Sequence, residues 1–150
     1  MPRLIDKVFA YITYTDRLLV FSHPDSPEAG IQVPAGTVKQ GEPPEEAVMR
    51  EAIEETGLQT LTLAAYLGQV DHPVPQQDQV HRRRFYHLIC RGTPPARWQH
   101  YETDPSEGAS DRIRFEFFWA RLPNGLPELA PGHARLLSKL LKSLNTHERD

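Results

Sequence analysis

Apolar and polar residues alternate over residues 7–14, with Val8, Ala10, Ile12 and Tyr14 on one side, and this period of two predicts a strand. Thr15 and Asp16 read as a turn into a short buried strand, Leu18 to Phe21, so the pair forms a hairpin. Residues 23–30 hold two prolines, a glycine and two acids and predict a loop, and Ile31 to Val33 a short strand running into Pro34, Ala35 and Gly36. The period then changes. Met49, Ala52, Ile53 and Thr56 follow the i, i+3, i+4, i+7 rule and predict a helix with that stripe facing the core. Pro43 and Pro44 suit its start, Glu45 and Glu46 the positive end of its dipole, and Gly57 its left-handed end.

Beyond the helix, residues 61–70 are strand-rich, and residues 72–79, with two prolines and three glutamines, predict a loop. In the strand predicted at residues 81–91, Phe85, His87 and Ile89 alternate against Arg84, Tyr86 and Leu88. Residues 93–111 have no clear period and predict a long loop. Ile113, Phe115, Phe117 and Trp119 mark a last strand, and five leucines from Leu136 to Leu144 a helix over residues 132–144. Disorder is expected only in residues 145–150. Strands, helix, strands, helix, with no repeat or linker, imply one domain over residues 1–150 of α+β class, a mixed sheet with two main helices packed against it.

A chain of 150 residues with 39% hydrophobic and 25% charged residues buries a sizeable core. A net charge of −3 makes nucleic acid an unlikely main partner. No apolar run approaches the length of a membrane span, and the first residues do not form a signal peptide. Cys90 is the sole cysteine, lies in an apolar run, and points to a buried thiol in a cytoplasmic protein. Seven histidines form no HxH or HxxxH pair, which argues against zinc.

The candidate chemistry lies on the first helix. Glu51, Glu54 and Glu55, at i, i+3 and i+4, are expected on one face, opposite the apolar stripe. Three adjacent like charges destabilise a bare helix, and a hard divalent cation with oxygen ligands removes the repulsion. A solvated acidic face is the alternative for a lone triplet of this kind. Gly36, Glu42, Arg50, Glu51, Ala52, Glu54, Glu55, Gly57 and Leu58 stand in register with the signature of the Nudix hydrolases, which the chain resembles; only Ala52 departs, at a place where a larger aliphatic residue is common.

The resemblance implies a Nudix-type α/β/α sandwich. It also implies hydrolysis of the pyrophosphate bond in a nucleoside diphosphate linked to another group, a small molecule, with Mg²⁺ as cofactor and Mn²⁺ possible. Glu51, Glu54, Glu55 and the Gly36 carbonyl are the implied metal ligands. Glu42 and Arg50 brace them, Arg50 by holding Glu54 or Glu42. The general base is Glu54 or Glu51, or an acid outside the motif: Glu102, Asp104, Glu107, Asp111 or Glu116. Arg82 and Arg84 share a strand face and either bind phosphate or guard a strand edge, and Lys39 either touches phosphate or is solvated. Tyr11, Phe85 and Tyr86 either stack a base or belong to the core, and His72 and His81 either flank a base or are solvated. Pro73, and the absence of a tyrosine where Pro75 and Gln76 stand, rank ADP-ribose-like and nucleotide-sugar substrates ahead of dinucleoside polyphosphates. A non-catalytic nucleotide sensor and an RNA 5′-end pyrophosphohydrolase are the competing functions.

Overall fold

The computed structural model describes residues 1–102 and 113–148. Its centre is β1 (Arg3–Tyr14), whose residues Val8 to Thr13 are buried on both faces, as a strand inside a sheet requires. β1 pairs in parallel with β5 (Gln79–Cys90) along almost its whole length. On its other edge it is shared. Thr13 and Tyr14 pair with β2 (Arg17–Ser22), while Lys7 to Phe9 pair with the three-residue β3 (Ala35–Thr37). β4 (Leu61–Val74) lies outside β5, and β7 (Ile113–Arg121) and β6 (Arg97–Glu102) lie outside β2, giving the order β4-β5-β1-β2-β7-β6 with β3 set beside β1.

The period of two on β1 and β5 sorts side chains into two cores. Val8, Ala10, Ile12, Tyr86 and Leu88 pack with Ala47, Val48 and Ala52 of α1 (Pro44–Thr56). Phe9, Tyr11 and Phe85 pack with Leu140 and Leu144 of α2 (Leu137–Glu148). The result is the expected sandwich, α1 on one face and α2 on the other. His87, fully buried, ties the second layer down: one ring nitrogen lies 2.8 Å from Thr13 Oγ1 and the other 2.7 Å from Ser143 Oγ.

The structure corrects five expectations. Ile53 is 40% exposed, and the buried face of α1 comprises Ala47, Val48, Ala52, Glu55 and Thr56, with Met49 half-buried. The apolar stripe is therefore turned toward Val48, and it carries an acid with it. The strand after α1 does not stop at residue 70. β4 continues through Asp71, His72 and Pro73, because on an edge strand a proline lacks only an N–H that can face solvent. The segment at residues 93–111 contains β6, where Trp98, His100 and Glu102 alternate with more exposed neighbours. Ile31 and Gln32 form only isolated bridges, and the strand at that place is β3, beginning at Ala35. α2 begins at Leu137 after a run of turns and continues to Glu148, into the stretch expected to be disordered.

Candidate active site

α1 is preceded by Pro43 in extended conformation, begins at Pro44, and is closed by Gly57, whose φ of 77° a residue with a Cβ adopts at a cost. These ends place its three acids in three different environments. Glu55 is 5% exposed and its Oε2 accepts the Ala35 amide of β3 at 2.9 Å. The Glu51 side chain is 14% exposed and lies against Gly36 so closely that a Cβ there would overlap its carboxyl group. Glu54 faces outward, with 55% of its side chain exposed.

Arg50 organises the outer half of this group. Its Nε and Nη2 donate to the two oxygens of Glu42 at 2.8 and 2.9 Å, a paired fork. Nη1 donates to Glu51 at 2.8 Å and reaches Glu54 at 3.4 Å, and Nη2 also meets the Thr37 carbonyl at 3.2 Å. One guanidinium thus fastens the loop carrying Glu42 and the end of β3 to the helix. Its hydrogen bonds, with that of the Lys39 amide, hold the Glu42 carboxyl down at about 2. Burial pushes Glu51 up against the opposing pull of Arg50. Burial raises Glu55 well above the carboxylate range, and the charges of Glu102 and Glu51 raise it further. An acid so placed favours any species that brings positive charge to it.

Glu102 reaches this group because β6 docks on the C-terminal end of α1. Trp98 Nε1 donates to the Thr56 carbonyl and His100 Nε2 to the Glu54 carbonyl, both at 2.9 Å, satisfying acceptors that a helix end leaves open. Of the acids considered outside the motif, Glu102 is the one the structure brings to the helix. Glu116 pairs with Arg97 at 3.2 Å, and Asp104, Glu107 and Asp111 lie outside the described residues. The sequence reading missed Trp98 and His100, although their alternation with Glu102 between a proline pair and a polar run was a strand signal.

Among the described residues, no three His, Cys, Asp or Glu side chains converge closely enough to grip an ion between them. Glu51 and Glu54 are turned to Arg50, and Glu55 to Ala35. The donor set nevertheless fits a hard divalent cation: all its atoms are oxygen, its acids are close enough to raise one another, and Gly36 has no side chain to hold Glu51 away from its backbone.

The expected substrate contacts divide. A cavity of about 500 Å³ lies beside the loop, lined by Asp6, Val38, Lys39, Gly41, Glu42 and Arg84. Lys39 and Arg84 thus share one hollow. Arg82 and Arg84 both lie near Asp6, at 3.8 and 2.9 Å, so their charge is partly met within the protein. Tyr11 and Phe85 are fully buried and Tyr86 is 3% exposed, so these rings are core and offer no face to a base. The exposed aromatic on this side is Tyr66 of β4, whose ring centroid lies 5.1 Å from that of Tyr86. His72 and His81 are paired across β4 and β5 and are not loop residues. Cys90 is buried near a second cavity of about 310 Å³, which lies away from the acids beside Tyr14, Arg91 and Leu144.

A sequence model of the NUDIX domain matches residues 4–140. A search of curated proteins returned no match. Among solved structures, a MutT NUDIX hydrolase from Burkholderia pseudomallei is 26% identical and superposes with a TM-score of 0.67, covering 92% of this chain and 98% of its own. The E. coli ORF135 protein is 21% identical, with a TM-score of 0.66 over 99% of this chain and 96% of that one. A bifunctional NMN adenylyltransferase/ADP ribose pyrophosphatase from Francisella tularensis, in complex with AMP and a Mn ion, is 18% identical, with a TM-score of 0.66 over 96% of this chain and 43% of that one. At these lower identities the likeness is one of fold. The family match spans most of the chain and includes the Gly36-to-Leu58 signature, so the chain belongs to the NUDIX family, hydrolases that act on phosphoric anhydride bonds and generally use a divalent metal.

Proposed function

We propose that the protein is a Mg²⁺-dependent pyrophosphohydrolase, with Mn²⁺ as an accepted substitute, acting on a nucleoside diphosphate linked to a second group. The observation that carries this reading is that Glu51, packed against Gly36, and the buried Glu55 are raised by burial and by the charges of neighbouring acids, Glu54 on the first and Glu102 on the second, so that a cation brought among them is favoured. Glu51, Glu54, Glu55 and the Gly36 carbonyl are the ligands in this reading. A bound divalent ion neutralises a diphosphate and acidifies water near neutral pH.

The chain's own residues do the rest. Arg50 and Glu42 hold the loop to the helix, so the ligands keep their places without rearrangement. Glu55, through the Ala35 amide, fixes β3 against α1. Glu54 is the most exposed of the three helix acids and has only the long contact with Arg50, which suits it to accept a proton from the attacking water. The oxygen of that water bonds to one phosphorus, the bridging P–O bond breaks, and its electron pair leaves with the other half. Lys39 and Arg84, which line the hollow beside Glu42, meet phosphate oxygens in this reading, and Arg82, which shares Asp6 with Arg84, adds to the positive charge there. Among the described residues no helix is long and apolar enough to cross a membrane, and a lone buried cysteine suits a reducing compartment such as the cytoplasm.

The test is turnover of ADP-ribose, a nucleoside diphosphate sugar, a nucleoside triphosphate, a dinucleoside polyphosphate and triphosphorylated RNA at equal Mg²⁺, with Mn²⁺ and chelator arms. The first two are expected to lead and chelator to abolish turnover. Preference for RNA would move the reading to 5′-end processing. Nucleotide binding without turnover of any compound would make the protein a sensor.

A further inference from the structure

Arg83 differs from its neighbours Arg82 and Arg84. The period of two turns it to the α2 face, where it is 9% exposed. Its guanidinium carbon lies 4.8 Å from the centre of the Phe9 ring, and Nη1 donates to the Pro131 carbonyl at 3.2 Å. Its Nε, like that of Arg82, is buried with no hydrogen-bond partner among the described residues. Arg82 and Arg84 have Asp6, but among the described residues no carboxylate pairs with Arg83. The groups around it are basic. Lys7, also on this face, donates to the Thr37 hydroxyl at 2.7 Å. His72 and His81 lie on the paired strands β4 and β5, His133 sits buried behind them, and Arg135 stands exposed at the rim. The positive charges of Arg83, Lys7 and Arg135 reach the two strand histidines and, with burial as the larger cause, depress both. Gly132, with φ of 82°, passes over the cluster so tightly that a Cβ would collide with the Arg83 guanidinium and lie 3.3 Å from His72 Nδ1.

A buried guanidinium with an unmet N–H, surrounded by cations and imidazoles, is costly in an isolated protein unless an anion joins it. The cluster is also continuous with the acidic helix, because Lys7 lies within reach of the charges of Glu51 and Glu55. We propose that Lys7, His72, Arg83 and Arg135 form a subsite for a phosphate monoester, so that the preferred substrate is a nucleoside diphosphate derivative carrying a further phosphate on its ribose. The inference rests on the reading above, in which the acidic helix receives the diphosphate. Arg supplies a fork, Lys a point charge and His a neutral donor, which together match the oxygens of a dianion.

The test is calorimetric binding, without metal, of adenosine 5′-monophosphate, adenosine 2′,5′-bisphosphate and adenosine 3′,5′-bisphosphate. One bisphosphate is expected to bind at least about tenfold more tightly than the monophosphate, a modest yield for one charge-assisted phosphate contact. Arg83→Met and the exposed Arg135→Ala should each reduce that preference. Arg135 lies on the surface, so its variant keeps the test alive if Arg83→Met fails to fold. Equal affinity for all three nucleotides in the unaltered protein would overturn the subsite, and turnover of ADP-ribose in the same preparation would show that the hydrolase reading survives. A bisphosphate preference in a preparation that hydrolyses no compound of the panel would support the subsite and reject the hydrolase reading alone.

Discussion

On the α1 side of the sheet acids and bases meet one another, and most of the charged groups have a partner within the protein. Glu42 and Glu51 have Arg50, Glu55 has the Ala35 amide, and the pair Arg82 and Arg84 has Asp6. On the α2 side the charged groups are bases, and Arg83, the most buried of them, has a single carbonyl and an aromatic face. A partner supplied within the fold offsets part of the cost of burying a charge, whereas an unmet buried charge lowers stability until a ligand arrives. The first arrangement positions ligands and survives an empty site. The second stores a preference for whatever completes it. The contrast separates residues that hold the machinery from residues that select what enters.

The contrast can be broken most severely at Glu54. Glu54→Gln should lower turnover by about 10²- to 10⁴-fold, the range for removing a positioned proton acceptor. The melting temperature should hardly move, because the side chain is exposed and its contact with Arg50 is long. Undiminished turnover in that variant would sink the assigned role.

Next is the packing behind the basic side. Leu140 is fully buried under the sheet, so Leu140→Ala should cost about 2–5 kcal/mol in urea unfolding. A loss under about 1 kcal/mol would mean that α2 is a peripheral element and that the α2 face is not a fixed wall.

A pH titration sharpens the difference further. Burial, followed by the charges of Arg83 and His72, drives His133 down to about 4. Its Nδ1 accepts the Val33 amide at 3.1 Å, so the ring is neutral in the fold. The unfolded chain protonates this histidine near its ordinary value, above the folded one. Its contribution is therefore complete above about pH 6.5 and is lost as pH falls toward 4, amounting to about 2–3 kcal/mol by pH 4.5. His133→Asn, which keeps an acceptor for Val33, should flatten that limb relative to the unaltered protein. An identical slope in both would show that His133 does not carry it.

The smallest effect is expected at Ile53. With 40% of its surface exposed, Ile53→Ala should change stability by no more than about 0.5 kcal/mol. A loss of several kcal/mol would restore the burial first expected from its spacing.

How far these features can be read from the chain depends on how local their causes are. The signature from Gly36 to Leu58 marked the family, the helix and the neighbourhood of the acids, because each element of it acts within one loop and one helix. The rotation of α1 escaped a reading from apolar spacing. Glu55 is buried by the approach of β3 and β6, so an acid occupies part of the inward face and Ile53 is turned out. β6 left a short local signal in the alternation of Trp98, His100 and Glu102, but its docking on the end of α1 depends on residues more than forty positions away. Tyr11, Phe85 and Tyr86 lie on strands whose alternation suggested one solvent face, but the middles of β1 and β5 are covered on both faces, so these three rings are core. The contrast between Arg83 and its two neighbours was present as parity. Its meaning depended on knowing that Asp6 lies beside Arg82 and Lys7 beside Arg83.

That pairing has an evolutionary consequence. β5 offers a cation to both faces of the sheet at three successive positions, and its parallel neighbour decides, one residue at a time, which of them is quenched. Asp6 and Lys7 act as adjacent toggles on opposite sides. An acidic residue at position 7 would neutralise the α2 face and add to the repulsion at Glu51 and Glu55, whereas loss of the acid at position 6 would release two arginines on the α1 side. The charge presented on each face of the sheet can therefore be changed through the first strand, in single steps, with no substitution in α1.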